Sequence, residues 1–267
     1  MKVALCVIGR LENRYAVEYV EYYKDLGFDK IFIYDNNRGD EEHFEDVLGV
    51  YISMGFVEVV NFRDRDVVQL TAYTDCYQKH GDEYDWIAFF DFDEFLVLVD
   101  HFSIKSYLGS DIFNGYDCIK VNWMVYTDSG LVKDDGRGVL ERFVIPMGYD
   151  RHVKYSYPEN NHVKSIIRGG IKNFKWVGNP HVPGMSLKYC DSLGKRCDSS
   201  AFQPYNFEAA YLKHFTTKTI DEYINGKNVR GVGDRNLNRF KETYCMDYFW
   251  KINERTSEKE EFIKNND

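Results

Sequence analysis

Three carboxylates, Asp91, Asp93 and Glu94, interrupt a strongly hydrophobic stretch of the chain. They follow the apolar run 86–90 and are followed at once by a second apolar run, 95–99. Side chains at alternate positions of an extended strand point to the same side, so Asp91 and Asp93 can converge. Anionic oxygens gathered in apolar surroundings are costly unless a cation or hydrogen-bond donors neutralise them. The stretch therefore predicts a site for a divalent metal ion.

Other kinds of acidic site fit this stretch less well. An EF-hand loop needs Gly where this chain has Leu96. A haloacid-dehalogenase phosphatase also places Asp-x-Asp after a strand, but near its N-terminus and with a small residue where this chain has Phe95. A dinucleotide-binding site is not indicated, because the first apolar run ends in a single Gly9 without the G-x-G-x-x-G pattern. An acidic strand end that binds nothing stays open as an alternative.

The segments around the carboxylates alternate between strand and helix patterns. Apolar runs of strand length are followed by segments whose hydrophobic residues recur at helical spacing. The predicted strands are residues 2–9, 30–34, 56–61 and 86–90, and the predicted helices are residues 15–26, 41–54 and 67–79. This alternation is typical of an α/β fold with a doubly wound, mostly parallel sheet, whose ligand site lies beyond the carboxyl ends of the strands.

Polar side chains follow the end of each predicted strand. Arg10 and Asn13 follow the first strand, Asp35 follows the second, residues 63–66 follow the third and residues 91–94 follow the fourth. Because the carboxyl ends of parallel strands meet at one edge of a sheet, we expect these side chains to line one crevice.

Charge balance and cysteine usage exclude several classes of protein. The chain has 34 Lys and Arg against 43 Asp and Glu, a net charge of −9, and no nucleic-acid partner is expected because phosphate-backbone binding needs a basic patch. The six cysteines include no CxxC pair, so we expect neither zinc nor a disulfide framework and predict a cytoplasmic location. No stretch approaches the roughly 20 apolar residues of a membrane span, and the N-terminal run is too short for a secretory signal.

The order of motifs resembles the GT-A glycosyltransferases, specifically family 92 and related family-2-like enzymes. In the first half the matching motifs are Arg-Leu-Glu-Asn-Arg at 10–14, Tyr-Asp-Asn at 34–36, Gln-Leu-Thr-Ala-Tyr at 69–73 and the core from Trp86 to Phe95. In the second half they are Leu-Glu-Arg-Phe at 140–143, Val-Lys-Ser-Ile at 163–166, His181 and Lys-His-Phe at 213–215. The resemblance covers roughly residues 3–233 and leaves out the C-terminal segment.

The resemblance implies a GT-A fold and transfer of a sugar from a nucleotide-sugar, with a UDP-sugar as the expected donor, to a hydroxyl of a glycan or lipid-linked glycan. It also implies Mn²⁺ or Mg²⁺ at Asp91 and Asp93, because a hard cation with oxygen ligands neutralises a leaving diphosphate. A histidine is expected as a further metal ligand, with His214 as the first choice and His181 as the second.

The resemblance also assigns the contacts to the nucleotide. These are expected from the polar strand ends and from the region of a late Gly-rich loop, namely Arg10, Asn13, Asp35, Asp91, Lys218 and Arg230. Lys218 and Arg230, together with Lys227 and Arg235, would form a cationic lid over the diphosphate. A solvated loop is the alternative.

An inverting transferase also needs a carboxylate that takes the proton of the acceptor hydroxyl. Glu141 is the first candidate, with Asp134 and Asp135 as substitutes, and an ion pair between Glu141 and Arg142 is the alternative. Glu94 is placed with the catalytic residues, either orienting the metal ligands or contacting the sugar, and both roles stay open.

We predict a single catalytic domain over residues 1–235, with a nucleotide-binding half over 1–125 and an acceptor half over 126–235. A C-terminal helical extension over 236–267 is expected to form one helix at 237–264. The expected reaction is an inverting hexosyl transfer in the assembly of surface polysaccharide or lipopolysaccharide. The alternatives are a metal-dependent phosphohydrolase and a non-catalytic carbohydrate-binding module. With a lipid-linked acceptor, the aromatic segment 244–252 would contact the inner membrane face; otherwise it packs on the chain's own core.

Overall fold

The computed structural model describes residues 1–148, 158–227 and 245–266. The strands found there are β1 (Val3–Gly9), β2 (Lys30–Asp35), β3 (Val57–Asn61), β4 (Trp86–Phe89), β5 (Glu94–Leu98), β6 (Cys118–Val125), β7 (Val163–Arg168), β8 (Tyr189–Asp191), β9 (Arg196–Cys197) and β10 (Ala210–His214). The helices are α1 (Asn13–Asp25), α2 (Glu45–Ser53), α3 (Gln69–His80), α4 (Ile104–Leu108), α5 (Val139–Arg142), α6 (Ile220–Glu222), α7 (Met246–Ile252) and α8 (Ser257–Lys264). Short 3₁₀ segments cover Asp111–Phe113 and Pro158–Asn161, and a π-helical turn covers Tyr223–Lys227.

The strands form one sheet in the order β3-β2-β1-β4-β7-β6-β10-β5, with β8 beside β6 and β9 beside β8. β1 lies parallel to both β2 and β4, and β2 lies parallel to β3. This parallel half confirms the predicted α/β fold class. The second half is mixed, because β7 is antiparallel to β4 and β6, and β10 is parallel to β6 but antiparallel to β5.

The central strand β1 is buried on both faces. Leu5 and Val7 pack in the hydrophobic layer that contains residues of α1, whereas Ala4 and Cys6 pack in the layer that contains residues of α3. All four side chains are fully buried. Helices on both faces of a parallel sheet explain why this strand is a continuous apolar run rather than an alternating one.

An aromatic anchor holds the loop between β4 and β5. The ring of Phe92 stacks on Phe44 with 5.3 Å between centroids and packs on Tyr19 at 4.8 Å. Phe92 is buried, and it stands between the two aspartates of the loop. Burial of this ring therefore fixes the backbone from which Asp91 and Asp93 project.

The C-terminal segment forms two helices rather than the predicted single one. That prediction is wrong for the described part, because α7 ends at Ile252 and α8 begins at Ser257. Asn253 leaves helical geometry with φ −114° and ψ 149°, and the side chain of Thr256 caps α8 by accepting from the Lys259 amide. The rest of the predicted helix, residues 237–244, lies outside the described residues.

The described part of the aromatic segment 244–252 contacts the chain's own core. Phe249 is fully buried, with its ring 5.2 Å from that of Tyr223, and Ile252 is buried as well. Across the three described ranges, no helix combines the length and the apolar composition needed to cross a bilayer.

Candidate active site

Asp93, Glu94 and His214 form a buried group in which one ligand atom from each lies within 4.8 Å of the others. Glu94 opens β5 and pairs in antiparallel register with His214, the last residue of β10. The amide of Phe215 donates to the carbonyl of Asp93 at 2.9 Å. Backbone pairing between two strand ends therefore brings the three side chains together at the loop that follows β4.

Asp91 is held separately by side chains of α3 and β7. Its Oδ2 accepts from Lys164 Nζ at 2.8 Å, and its Oδ1 accepts from Gln69 Nε2 at 2.9 Å and from the Tyr73 hydroxyl at 3.1 Å. The amide of Asp91 donates to Glu94 Oε2 at 2.9 Å. Lys164 is completely buried, whereas one third of the Asp91 side chain is exposed. Asp91 is thus fixed beside the buried group with one face open to solvent.

Two lysines bring positive charge to the other side of the group. Lys227 Nζ lies 3.6 Å from Asp93 Oδ2 and donates to the carbonyl and hydroxyl oxygens of Thr216. Lys218 Nζ lies 4.3 Å from the ring centre of Tyr15, on backbone with φ +54°. Both lysines are buried. Arg230 and Arg235, predicted to form the lid with them, lie outside the described residues.

Burial and these charges set the protonation states. Burial alone would raise the pKa of Asp93, but His214 and the Lys227 and Lys218 ammonium groups hold it well below its usual range. Burial lowers the pKa of His214 although the adjacent Asp93 opposes this, and the lowered pKa favours the neutral imidazole that a metal ion requires. Burial, reinforced by the charges of Asp91 and Asp93, raises the pKa of Glu94 well above its usual range although Lys164 opposes this.

The donor set of the buried group fits a divalent cation. Within the described part of the chain, Glu94 Oε1 is buried and has no hydrogen-bond partner, and His214 presents Nε2 to Asp93 Oδ1 at 3.6 Å. An unpartnered buried polar atom is costly, and a cation coordinated there would satisfy it. Two carboxylates and a neutral imidazole are ligands that Mn²⁺ accepts, and the carboxylates also suit Mg²⁺.

Asp35, His43 and Glu45 form a second group of possible ligands near the end of β2. Asp35 already pairs with Arg63 at 2.7 Å and accepts from the side chain of Asn37 at 2.7 Å. His43 and Glu45 are exposed. An ion-paired strand end explains this group without a metal ion.

The predicted nucleotide contacts lie at the ends of β1 and β2. Gly9 and Asp35 are partners in the parallel register, which places Arg10 next to Asp35 along the edge of the sheet. The Arg10 side chain pairs with Glu41 at 2.6 Å, and Asn13 Nδ2 donates to the carbonyl of His43 at 2.8 Å. The structure therefore gathers these residues at one edge and engages their side chains with the segment that follows β2.

The predicted base candidates lie around α5. The Glu141 side chain is 65% exposed and lies 3.6 Å from Arg137, which also pairs with Asp135 at 2.5 Å. Asp134 pairs with Arg14 and, at 3.3 Å, with Arg142. The alternative interpretation, an ion pair between Glu141 and Arg142, is wrong, because Arg142 is buried and pairs with Glu222 at 2.8 Å instead.

His181 lies near the buried group but is engaged elsewhere. Its Nδ1 donates to the carbonyl of Val163 at 3.0 Å, and its ring lies 5.1 Å from Trp123. Trp123 in turn lies 4.0 Å from His214. Sequence reasoning gave no site role to Trp123 or to Lys164, although a lysine inside the apolar run Val-Lys-Ser-Ile-Ile was a signal for a buried ion pair.

A family model described as glycosyltransferase family 92 matches residues 2–245. A glycosyltransferase family 92 protein of Arabidopsis thaliana is 29% identical over 198 residues, which cover 68% of this chain and 31% of the relative. One of Oryza sativa subsp. japonica is 25% identical over 191 residues, which cover 67% of this chain and 29% of the relative. The chain thus spans about a third of the length of the curated relatives it matches.

Solved structures show coarser similarity. S. aureus TarS is 8% identical with a TM-score of 0.41, over 94% of this chain and 43% of that one. The galactosyltransferase LgtC in complex with donor and acceptor sugar analogs is 14% identical with a TM-score of 0.28, over 62% of this chain and 57% of that one.

Proposed function

The chain belongs to glycosyltransferase family 92, and we propose that it transfers a sugar from a nucleotide-sugar, with UDP-sugars as the first donor class, to an acceptor hydroxyl. The single observation that best supports this is the buried group of Asp93, Glu94 and His214 at the carboxyl-end edge of the sheet. Lys227, on the chain after β10, lies 3.6 Å from Asp93, and the ends of β1 and β2 lie on the other side of β4 from β7. A positive charge beside the acidic group suits a substrate that carries a diphosphate.

We propose that Asp93, Glu94 and His214 hold Mn²⁺ or Mg²⁺. The unpartnered, buried Oε1 of Glu94 and the approach of His214 Nε2 to Asp93 support this assignment. When bound, the cation would neutralise the negative charge of the departing nucleoside diphosphate. His181 is retained as a second choice of ligand. Asp91, fixed by Lys164, would use its exposed face to contact the ribose or a water molecule of the site.

Lys218 and Lys227 are proposed to bind the diphosphate oxygens. Both lie on the chain that leaves β10, and Lys227 approaches Asp93 to 3.6 Å. Fixed cations that already surround the site need little reorganisation when charge develops on the leaving group. Arg230 is proposed to join them. On the other side, Arg10, Asn13 and Asp35 would contact the nucleoside.

We further propose an inverting hexosyl transfer in which Glu141 takes the acceptor proton. Its carboxylate is two-thirds exposed and so is reachable by a substrate hydroxyl. Asp135, also paired with Arg137, is the substitute. The acceptor would be a glycan or lipid-linked glycan of surface polysaccharide or lipopolysaccharide assembly. The location would be cytoplasmic, with peripheral contact at the inner membrane face for a lipid-linked acceptor.

Calorimetric titration of the full chain with UDP and Mn²⁺ tests the proposal. We expect the wild type to bind UDP in the presence of Mn²⁺, and Asp93→Asn to bind at least roughly tenfold more weakly because a metal ligand loses its negative charge. Asp100→Asn, at an exposed aspartate that follows β5, is the matched control and should bind like the wild type.

No heat of binding, or equal binding by Asp93→Asn, would overturn the proposal. Turnover of a phosphomonoester without any acceptor would favour a phosphohydrolase. Glycan binding that ignores both metal and nucleotide would favour a carbohydrate-binding module.

A further inference from the structure

A row of aromatic rings leads from the buried group to the protein surface. Trp123 lies 4.0 Å from His214, His162 stacks on Trp123 at 4.8 Å with 19° between the planes, and Phe202 lies 4.5 Å from His162. Exposure rises along the row, from 9% for Trp123 through a half-buried His162 to 56% for Phe202. We call Trp123, His162 and Phe202 the aromatic row.

Backbone pairing holds the row in place. The amide of Trp123 donates to the carbonyl of His162 at 3.0 Å, and His162 and Phe202 form an antiparallel β-bridge. On either side of that bridge, the Val163 amide donates to Ala201 and the Gln203 amide donates to Asn161. The pairing fixes the backbone of Phe202, and the ring packs on His162, so little side-chain freedom is lost when a ligand covers it.

The polar atoms of the row suit hydroxyl groups. His162 Nδ1 lies 3.1 Å from the carbonyl oxygen of Glu159, which can only accept, so Nδ1 carries the proton and Nε2 carries the lone pair. Burial lowers the pKa of His162, so the ring is neutral at pH 7. The row thus combines the apolar ring face of Phe202 with one hydrogen-bond acceptor, Nε2 of His162.

Ion pairs lie beside the row: Asp198, whose carboxylate accepts from the side chain of Gln203, lies 3.9 Å from Lys120 Nζ. Glu159, whose carbonyl holds His162, forms an ion pair with Lys251. A neutral imidazole and an exposed Phe ring offer no charge to attract a phosphate or a carboxylate. A sugar has an apolar C–H face and neutral hydroxyl groups, and amphipathic aromatic surfaces match both. The chemistry of the row therefore favours an uncharged sugar ring.

The position of the row separates it from the nucleotide side. In the sheet, β1 and β2 lie on one side of β4, and β7 and β6 lie on the other. His162 immediately precedes β7, and Trp123 lies on β6. The loop with Asp91 and Asp93 follows β4 between them. A donor lying along the ends of β1 and β2 would leave the side of β6 and β7 open for the acceptor.

We propose that the aromatic row is the acceptor subsite, where an uncharged sugar ring stacks on Phe202 and donates a hydroxyl hydrogen bond to Nε2 of His162. This inference rests on the proposed function and adds to it the chemical class of the acceptor and the residues that select it.

Steady-state transfer to a panel of uncharged mono- and disaccharides tests the subsite, with hydrolysis of the same UDP-sugar in the absence of acceptor as the second readout. In Phe202→Ala we expect the acceptor KM to rise roughly tenfold, the loss of one stacking contact. Donor KM and donor hydrolysis should stay unchanged, and Phe202→Tyr should retain the wild-type acceptor KM. His162→Phe, which keeps a ring but removes Nε2, should raise the acceptor KM as well.

Phe102→Ala is the matched control, because Phe102 is a fully exposed ring in another part of the surface. An unchanged acceptor KM in Phe202→Ala, or an equal rise in Phe102→Ala, overturns the subsite. A loss seen only with lipid-linked acceptors and not with free sugars would show that Phe202 contacts the lipid, and would also overturn it.

Failure of the proposed function is distinguishable from failure of the subsite. If the wild type neither hydrolyses nor transfers any nucleotide-sugar, the function fails, and direct calorimetric titration with the same sugars then tests the row. Binding that Phe202→Ala loses and Phe102→Ala keeps supports the row. Equal binding by both variants, or no binding by the wild type, rejects it.

Discussion

Asn253 Nδ2 donates a hydrogen bond to Thr217 Oγ1 at 3.0 Å, and Asn253 Oδ1 accepts from the amide of Asp128 at 2.6 Å. All three residues are buried. The neighbouring Thr216 accepts two hydrogen bonds from Lys227, which lies beside Asp93. Asn253 lies beyond residues 2–245, which the family model matches. It therefore helps to fix the turn that places the Lys227 ammonium group at the candidate active site.

Replacing Asn253 by Ala should weaken both the fold and the site. The change leaves the buried Asp128 amide without its partner and should lower the free energy of unfolding by about 2 kcal/mol. Because the turn at Thr217 loses its hydrogen bond from Asn253, the affinity for UDP should fall several-fold under conditions where the variant stays folded. Urea denaturation and calorimetric titration measure the two effects. Asn265→Ala, at an exposed asparagine after α8, should change neither, and unaltered UDP binding in Asn253→Ala would contradict the positioning role.

Gly9→Ala should disturb the loop between β4 and β5 through a steric clash. A Cβ at Gly9 would lie 2.5 Å from the ring of Phe92 and 2.8 Å from the ring of Phe44. Overpacking of buried rings typically costs about 1–3 kcal/mol, and the displaced Phe92 stands between Asp91 and Asp93. We expect lower stability and weaker Mn²⁺ binding, measured by thermal unfolding with and without Mn²⁺.

Gly49→Ala is the control for this substitution. Gly49 lies in α2 with nothing within 4 Å of an added Cβ. Removing a glycine from a helix interior should raise stability by roughly 0.5–1 kcal/mol. Full Mn²⁺ binding by Gly9→Ala would show that the loop adjusts without moving its carboxylates.

Lys164→Met should leave the repulsion between the Asp91 and Glu94 carboxylates without a compensating positive charge. Lys164 is completely buried and lies 2.8 Å from Asp91 and 4.0 Å from Glu94. Removing one partner of a buried ion pair typically costs about 3–5 kcal/mol, because the remaining charge is left uncompensated. Mn²⁺ should then raise the melting temperature by more in the variant than in the wild type. Lys172→Met, at an exposed lysine, should show the wild-type increment, and an equal increment in Lys164→Met would contradict this account.

Glu222 should make folding stability sensitive to acid. Burial alone would raise its pKa, but hydrogen bonds from Arg142 and Tyr15 and the charge of Lys218 lower it from 4.5 to about 2. A lowered pKa means that the unfolded chain takes up the proton first, so this contribution is complete above about pH 4.5 and is lost as the pH falls towards about 2. Its size above that window is about 3 kcal/mol.

Urea denaturation of Glu222→Gln over a range of pH measures this contribution. The difference in stability between wild type and variant should narrow as the pH falls through the window. Glu258→Gln, at an exposed glutamate, should show no such trend. A difference that is constant with pH would mean that Glu222 acts through packing rather than through its charge.

The first four strands and the helices between them could be predicted from the sequence because their signals are local. β1 and β4 are continuous apolar runs, and hydrophobic residues at helical spacing mark α1 and α3. The position of Asp91, Asp93 and Glu94 after the fourth strand followed from the same pattern. The local pattern predicted one C-terminal helix, and this prediction was wrong at Asn253, whose side chain bonds the distant residues Asp128 and Thr217.

The parallel half of the sheet and the carboxylates at its edge follow from local patterns in the sequence. Which side chains meet at that edge depends on the pairing of distant strands. The antiparallel pairing of β5 with β10 sets His214 opposite Glu94, and Lys164 on β7 pairs with Asp91. Periodicity reports which face of an element is buried, whereas contacts between charged groups depend on which distant strands pair. That pairing minimises the cost of burying polar groups over the whole chain, so no local stretch encodes it.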